Sequence, residues 1–368
     1  MTAVVRWRAG TVTALGRRWH GAAELTVAVD GGEGEPVRAL AYPALVGEPE
    51  VGDRVLLNVG ALELGLGTGG YAFVVALPDR LPADQPSTMD EGHIVKARYT
   101  PLQTIVLGIE EAASPYHDLL AAADDLGGMP VVTADLHSAL PAVLAGFRAF
   151  RPGGRVAYVM TDGGALPAWF SRTLDALRGH LAGTVTVGQA FGGDLEATTV
   201  HSGLLAARHV LGADAVIVAQ GPGNLGSGTR WGFSGVSVGE AVNAIAALRG
   251  RPVGALRIST ADPRPRHRGV SHHSLTAYGR VALAAADLVV PADLDADLAT
   301  AVIGALAPLR LRHRIVTVPT DGLDDALRAS AAPLSTMGRG LDDDYPYFLA
   351  AAAAGRYAAM LSSGDGDQ

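Results

Sequence analysis

The sequence predicts an α/β protein. A small N-terminal β-barrel of SH3-like or OB-like type precedes a large domain built on a mainly parallel, doubly wound (Rossmann-like) sheet. Three observations carry this. Residues 1–80 hold about five short strand-like runs punctuated by turn residues. From residue 104 onward, apolar runs alternate with helical stretches, a pattern that demands parallel pairing. The run Ala215–Ala219 is apolar throughout rather than alternating, as in a strand covered on both faces. A (β/α)8 barrel is the alternative for the large domain.

The barrel strands are expected at Thr11–Ala14, Glu24–Val29, Val37–Tyr42, Arg54–Asn58 and Tyr71–Leu77. Arg6, Trp7, Arg8, Arg17, Arg18, Trp19 and His20 are either ordinary edge residues or a basic, aromatic surface able to hold RNA. Residues 81–92 read as a Pro-rich linker, 93–361 as the α/β domain and 362–368 as a disordered tail. In the large domain the strand candidates are Thr104–Ile109, Pro130–Thr133, Arg155–Met160, Thr184–Val187, Ala215–Ala219, Val253–Ile258, Asp287–Val290 and Arg314–Val318. Helical stretches lie between them, at Tyr116–Asp125, Ser138–Phe150, Leu166–His180, Glu196–Leu211, Val238–Leu248, Leu275–Ala286 and Asp295–Ala307. A final Ala-rich helix, Pro346–Leu361, is expected to cross the sheet or meet a partner, a weak pointer to a homodimer.

Composition narrows the function. The hydrophobic fraction of 48% and charged fraction of 18% supply a core and exclude wholesale disorder. A net charge of -8 argues against non-specific binding to nucleic acid or anionic membrane. Without cysteine, thiol catalysis and thiolate-ligated metal are excluded. No apolar run reaches membrane-spanning length and the N-terminus lacks a signal-peptide pattern, so a cytoplasmic location is expected.

In either fold, ligands bind at the carboxyl ends of the strands. Asp135 and His137 follow the second strand of the large domain, and Asp-x-His can ligate a metal or pair a base with its orienting carboxylate. Asp162, Gly163 and Gly164 follow the third, and Asp194 and His201 lie beyond the fourth. After the fifth comes a glycine-rich loop with Gln220, Gly221, Gly223, Asn224, Gly226, Ser227, Gly228 and Thr229. Its G-x-G-x-x-G letters fail as a dinucleotide fingerprint, because no helix starts at the third glycine and no acid ends a strand about 20 residues on. An oxyanion cradle is what remains. Gly235–Gly239 matches a serine-nucleophile elbow, yet the strand ends too early; Ser237 reads instead as the cap of a helix, with Glu240 completing a capping box. After the sixth strand, Asp262, Arg264, Arg266, Arg268, His267, His272 and His273 make the densest polar loop of the chain.

Four stretches together, residues 92–103, 135–138, 220–229 and 266–273, resemble an uncharacterised bacterial family, a domain of unknown function of about this length. The resemblance implies no activity, cofactor or catalytic residue. The expected function is therefore read from the residues alone. It is an enzyme, a hydrolase or transferase, acting on a small phosphate- or carboxylate-bearing metabolite. The glycine loop and Arg264, Arg266 and Arg268 would hold the anion. A general acid/base would come from His137, His201, His267, His272 or His273, oriented by Asp135, Asp162, Asp194 or Asp262. In a variant, Asp135 and His137 join other histidines to bind a divalent metal. The alternatives are a non-catalytic ligand-binding or regulatory protein, and an RNA-associated protein acting through the barrel.

Overall fold

The structure, a computed structural model, describes residues 5–31, 35–83 and 92–364. The predicted linker falls largely, and the predicted tail partly, outside the described residues. The chain divides into two compact units. One is Met1–Val106 with Trp169–Asp175, and the other is Leu107–Ala168 with Ala176–Gln368.

In the first unit, β1 (Trp7–Trp19), β2 (Ala22–Val29), β3 (Val37–Ala41), β4 (Arg54–Asn58) and β5 (Ala72–Ala76) close into a barrel in the order β1-β2-β3-β5-β4. Only β3 and β5 pair in parallel. Side chains alternate in and out along each strand, so Leu25 and Val27 of β2, Val55 and Leu57 of β4 and Ala72 and Val74 of β5 fill the interior. The short helices α1 (Pro43–Val46) and α2 (Gly60–Glu63) interrupt the strands. Arg6 and Arg8 both pair with Glu63, Arg18 with Glu48, Arg38 with Glu24, Arg54 with Asp30 and Arg80 with Asp53. Those arginines are therefore neutralised by neighbouring acids, and Trp19 is engaged too, donating from Nε1 to the Trp169 carbonyl at 2.7 Å.

Two predicted elements are corrected here. The run at Thr104–Ile109 adds no strand to the large sheet, which it meets only at the parallel bridge from Gly108 to Glu196. Its ordered part, β7 (Thr104–Val106), pairs antiparallel with β6 (Ile94–Lys96). The helix predicted over Leu166–His180 shrinks to a 3-10 turn at Ala168–Phe170 and α5 (Arg172–Ala176). Its apolar residues are claimed by the first unit, where Trp169 lies 6.1 Å from the Tyr42 ring and Phe170 lies 6.2 Å from Phe73. Aromatic packing outweighs helical propensity there.

The second unit is built on β8 (Pro130–Thr133), β9 (Val156–Thr161), β10 (Gly183–Thr186), β11 (Leu195–Glu196), β12 (Ala215–Gln220), β13 (Arg251–Ala255), β16 (Asp287–Pro291) and β17 (Arg314–Val318). They form one parallel sheet in the order β11-β10-β9-β12-β8-β13-β16-β17. The sheet is open at both edges, which overturns the (β/α)8 alternative. The two-residue β11, read from sequence as part of a loop and helix, takes one edge of the sheet. A short antiparallel pair, β14 (Ile258–Ser259) with β15 (Gly269–Val270), closes the polar loop after β13.

Helices cover the sheet. Leu120 of α3 (His117–Ala122), Leu204 of α6 (Val200–His209) and Ile245 of α7 (Ser237–Ala247) pack with Val131, Val159 and Val218. Helix α8 (His272–Thr276) leads into a π-helical turn, Ala277–Val281, and α9 (Ala296–Leu306) packs with Leu288 and Val290. Below the C-terminal half run α10 (Leu323–Arg328) and α11 (Tyr345–Ser362). Helix α11 crosses β8, β13, β16 and β17 and lies on α4 (Leu140–Phe150).

Glycine permits the α4–α11 contact. A Cβ at Gly146 would sit 1.9 Å from the Ala352 carbonyl oxygen, and one at Gly355 would sit 1.9 Å from that of Val143. The two backbones therefore touch. Ala350 through Ala354 are all buried within the chain, so this helix no longer points to a homodimer.

Candidate metal centre

The carboxyl ends of β8, β12 and β13 lie side by side, and they gather the polar residues. Strand β8 delivers Asp135 and His137, both buried. Strand β12 ends at Gln220, whose Nε2 donates to the Asp135 carbonyl at 2.7 Å and to Asn224 Oδ1 at 2.8 Å. This tie needs close approach. A Cβ at Gly163 would fall 2.5 Å from Gln220 Oε1, and one at Gly235 would fall 2.9 Å from Asp135 Cβ.

Past β13 the chain supplies Arg257, which is 3% exposed. Its guanidinium bridges two carboxylates, with Asp135 Oδ2 at 3.8 Å and Asp262 Oδ2 at 3.1 Å. Asp262 is also gripped by Arg264 at 2.9 Å and approached by Arg339 at 3.5 Å. Arg339 in turn pairs with Asp344, which accepts from Ser259 Oγ at 2.8 Å. A buried charge persists only when paired and hydrogen-bonded, and this alternating network meets that need. The Arg264 guanidinium holds the Asp262 carboxyl far below the usual carboxylate range. Asp262 is therefore a fixed anion and a poor proton acceptor.

Around Asp135 stand three imidazoles. His267, His272 and His273 each offer a ligand atom, and these atoms lie within 4.8 Å of one another. The local fold sets them. Ser271 caps α8, accepting from His273 N at 3.2 Å, and its Oγ lies 2.8 Å from His267 Nδ1. The Phe233 ring stacks flat on His273, with centroids 3.8 Å apart and 3° between planes. His273 Nδ1 stands 3.6 Å from Asp135 Oδ2, too far for a hydrogen bond. His272 Nε2, His273 Nδ1 and Asp135 Oδ2 are all buried without a hydrogen-bond partner. Orphaned buried donors and acceptors are rare and costly. Here they converge.

Protonation favours ligation. Burial lowers His267 to about 3, helped by the Arg257 and Arg264 charges, and lowers His272 to about 4, helped by His273 and Arg266. Both rings are neutral at pH 7, the form that binds metal. Burial acts to raise the Asp135 carboxyl, but His273 and Arg257 outweigh it and hold it below its ordinary value. Three clustered imidazoles, two of them held neutral, with an adjacent carboxylate suit a divalent ion of the zinc type. Asp135 is placed as a carboxylate beside His273, an arrangement that metal sites commonly have.

Residues 38–355 match the family described as Protein of unknown function (DUF3866). The chain belongs to this family. Asp135, Arg257 and the three histidines all lie within the matched region. No curated protein and no solved structure matches the chain.

The remaining predicted residues of this DUF3866 protein are distributed unevenly. His137 lies outside the imidazole trio. Its Nδ1 sits 3.0 Å from the Tyr158 hydroxyl, and burial lowers it to about 4, so the metal set differs from the expected Asp135–His137 pairing. Asp162 accepts from Gln189 N at 2.8 Å, Gly163 abuts Gln220, and Gly164 packs on the Gly221 carbonyl. Asp194 accepts from Thr184 N at 2.8 Å, and His201 is exposed at the start of α6. With strands roughly 4.8 Å apart, β11 and β13 lie about 24 Å apart, so Asp194 and His201 do not join the histidine trio.

The glycine loop also differs from expectation. Ser227 Oγ donates to the Gly232 carbonyl at 3.1 Å, Gly232 N donates to Thr229 Oγ1 at 3.1 Å, and Gly226 bridges Phe233. Gly223 and Gly228 have positive φ and serve the turn. The Ser227 and Thr229 hydroxyls are thus engaged within the loop, which also delivers Phe233 to the site. Ser237 is not a cap: Val236 holds that position, and Ser237 Oγ donates to the Ser234 carbonyl at 3.2 Å. Of the loop arginines, Arg264 and Arg268 bond Asp262, while Arg266 stays clear of it. Sequence reasoning missed Arg257, Phe233, Arg339 and Asp344. An arginine inside the apolar run Val253–Ile258 was the available signal for the first.

Proposed function

We propose that this protein is a metal-dependent hydrolase or transferase acting on a small anionic metabolite at the carboxyl ends of β8, β12 and β13. The observation that carries the reading is the trio His267, His272 and His273, clustered within 4.8 Å, with His272 Nε2 and His273 Nδ1 buried and unpartnered. These residues would hold a divalent ion, which supplies an acidified water for attack on an ester, amide or phosphoryl centre. Asp135, 3.6 Å from His273 Nδ1, would take the proton that the attacking water sheds. Arg257 keeps that carboxylate ionised, and Phe233 fixes the ring plane of His273. The finer architecture that goes with this reading is a Rossmann-like sheet and an OB-type barrel. The barrel's paired arginines favour a metabolite over RNA as the ligand.

Elemental analysis of protein purified without chelator tests the reading. One equivalent of a transition metal or zinc is expected, lost in His273→Ala and in His272→Ala. Metal content far below one equivalent, unchanged by either substitution after zinc is supplied, would remove the proposed centre.

A further inference from the structure

A cleft of about 780 Å³ opens beside the histidine trio, with His272 in its wall. Four arginines line it: Arg230, Arg266, Arg280 and Arg312. They arrive from four separate segments, namely the glycine loop, the 3-10 turn Pro265–His267, the π turn after α8 and the end of the 3-10 turn Ala307–Leu311. No carboxylate lines the cleft, although the protein as a whole carries a net charge of -8. Among the described residues, none of the four forms an ion pair. Arg312 alone has a hydrogen bond, to the Ala282 carbonyl at 2.6 Å. Other arginine clusters in the chain are neutralised, as Asp262 does for Arg257 and Arg264. Four like charges facing one cavity repel each other, and an anionic guest relieves this.

The rest of the wall is apolar, with Leu275, Leu309 and Leu311. Leu311 is 96% exposed, a leucine left in water at the mouth of the cleft. His313, also in the wall, is already spent on Ala286 N and the Tyr278 carbonyl. The cavity falls in the size range of metabolite and cofactor sites.

We infer that this cleft binds organic phosphates carrying at least two negative charges and an apolar body, the chemistry of a nucleoside diphosphate. The guanidinium forks would take the phosphate oxygens and the leucines the body. The inference rests on the proposed function only in one respect: His272 would place the ligand's phosphate end next to the metal-held water.

The test is a binding titration on full-length, chelator-treated protein, with ADP, inorganic pyrophosphate and adenosine as probes. Metal-free protein keeps the two readings separable, since the cleft can succeed or fail whatever the metal content. ADP is expected to bind saturably, more tightly than pyrophosphate, while adenosine does not bind. Arg266→Ala and Arg280→Ala should each weaken ADP by about tenfold or more, the worth of one charge-assisted contact. Arg310→Ala, an exposed arginine outside the cleft, should leave it unchanged. The inference is overturned if ADP fails to bind, if adenosine binds as well as ADP, or if Arg310→Ala weakens ADP as much as Arg280→Ala does.

Discussion

Arg257 concentrates the electrostatics of the site in one side chain. It lies between Asp135 and Asp262, and nothing else described touches both. Replacing it with methionine keeps the volume, leaves buried Asp135 without its arginine and leaves Asp262 to Arg264 and Arg339. Breaking a buried pair costs about 3–5 kcal/mol, so Arg257→Met is expected to lower the unfolding free energy by that amount in a urea titration. A loss below about 1 kcal/mol would show that water or a neighbour replaces it. The histidines make a second claim at this scale. His137, His267 and His272 are held at about 4, about 3 and about 4, below the ordinary 6.5. Between those values and 6.5 the unfolded chain binds more protons than the folded one. Their contribution is therefore complete above about pH 6.5 and is lost progressively as pH falls toward about 3. The urea midpoint should be flat above about pH 7 and decline steadily below it. A midpoint that does not move between about pH 6.5 and 4 contradicts buried neutral rings.

At the scale of elements, the α4–α11 contact is the sharpest case. Both glycines face a carbonyl oxygen at a distance no Cβ can occupy. Gly146→Ala or Gly355→Ala must push the helices apart, at a cost of about 1–3 kcal/mol or more. Gly304, in α9, has nothing within 4 Å of its Cβ position. Gly304→Ala should stabilise by up to about 1 kcal/mol through helix propensity. Opposite signs for one chemical change, read by thermal or urea unfolding, check the packing directly. Strands buried on both faces were legible because a short, mostly apolar run suits few structures besides a covered strand: Pro130–Thr133 appears with the bounds the sequence suggested, as does the edge strand Arg314–Val318. Leu166–His180 was not legible, since Trp169 and Phe170 fit a helix by pattern and are decided by aromatic partners far off in sequence. The histidines of 267–273 stood out by density, whereas their link to Asp135 depends on which strands are neighbours, and spacing carries no such information. Arg280, in a predicted helix, and Arg312, in a connection, stayed unremarkable for the same reason: a single arginine looks solvated until three others face it.

For the molecule as a whole, the metal and the fold are thermodynamically linked. An ion held by His267, His272 and His273 binds the folded state, because only folding brings 267–273 against Asp135. Such a ligand stabilises by about 4 kcal/mol at a thousandfold excess over its Kd. Chelation should lower the melting midpoint and zinc should restore it, with His273→Ala insensitive to both. An unchanged midpoint on chelation of zinc-loaded protein speaks against the centre. The strand order carries a different consequence, one of timing. Strand β8 is the first of its sheet to leave the ribosome, yet its two neighbours are β12 and β13, and its lower face is roofed by α11. Pro130–Thr133 must therefore wait unpaired until Gln220 is made and half-paired until Ala255, with the face under α11 uncovered until Tyr345 has passed. Distant pairings of this kind make folding slow and leave apolar strand edges open in the meantime. A nascent chain halted before residue 345 is the species that chaperones would be expected to hold longest.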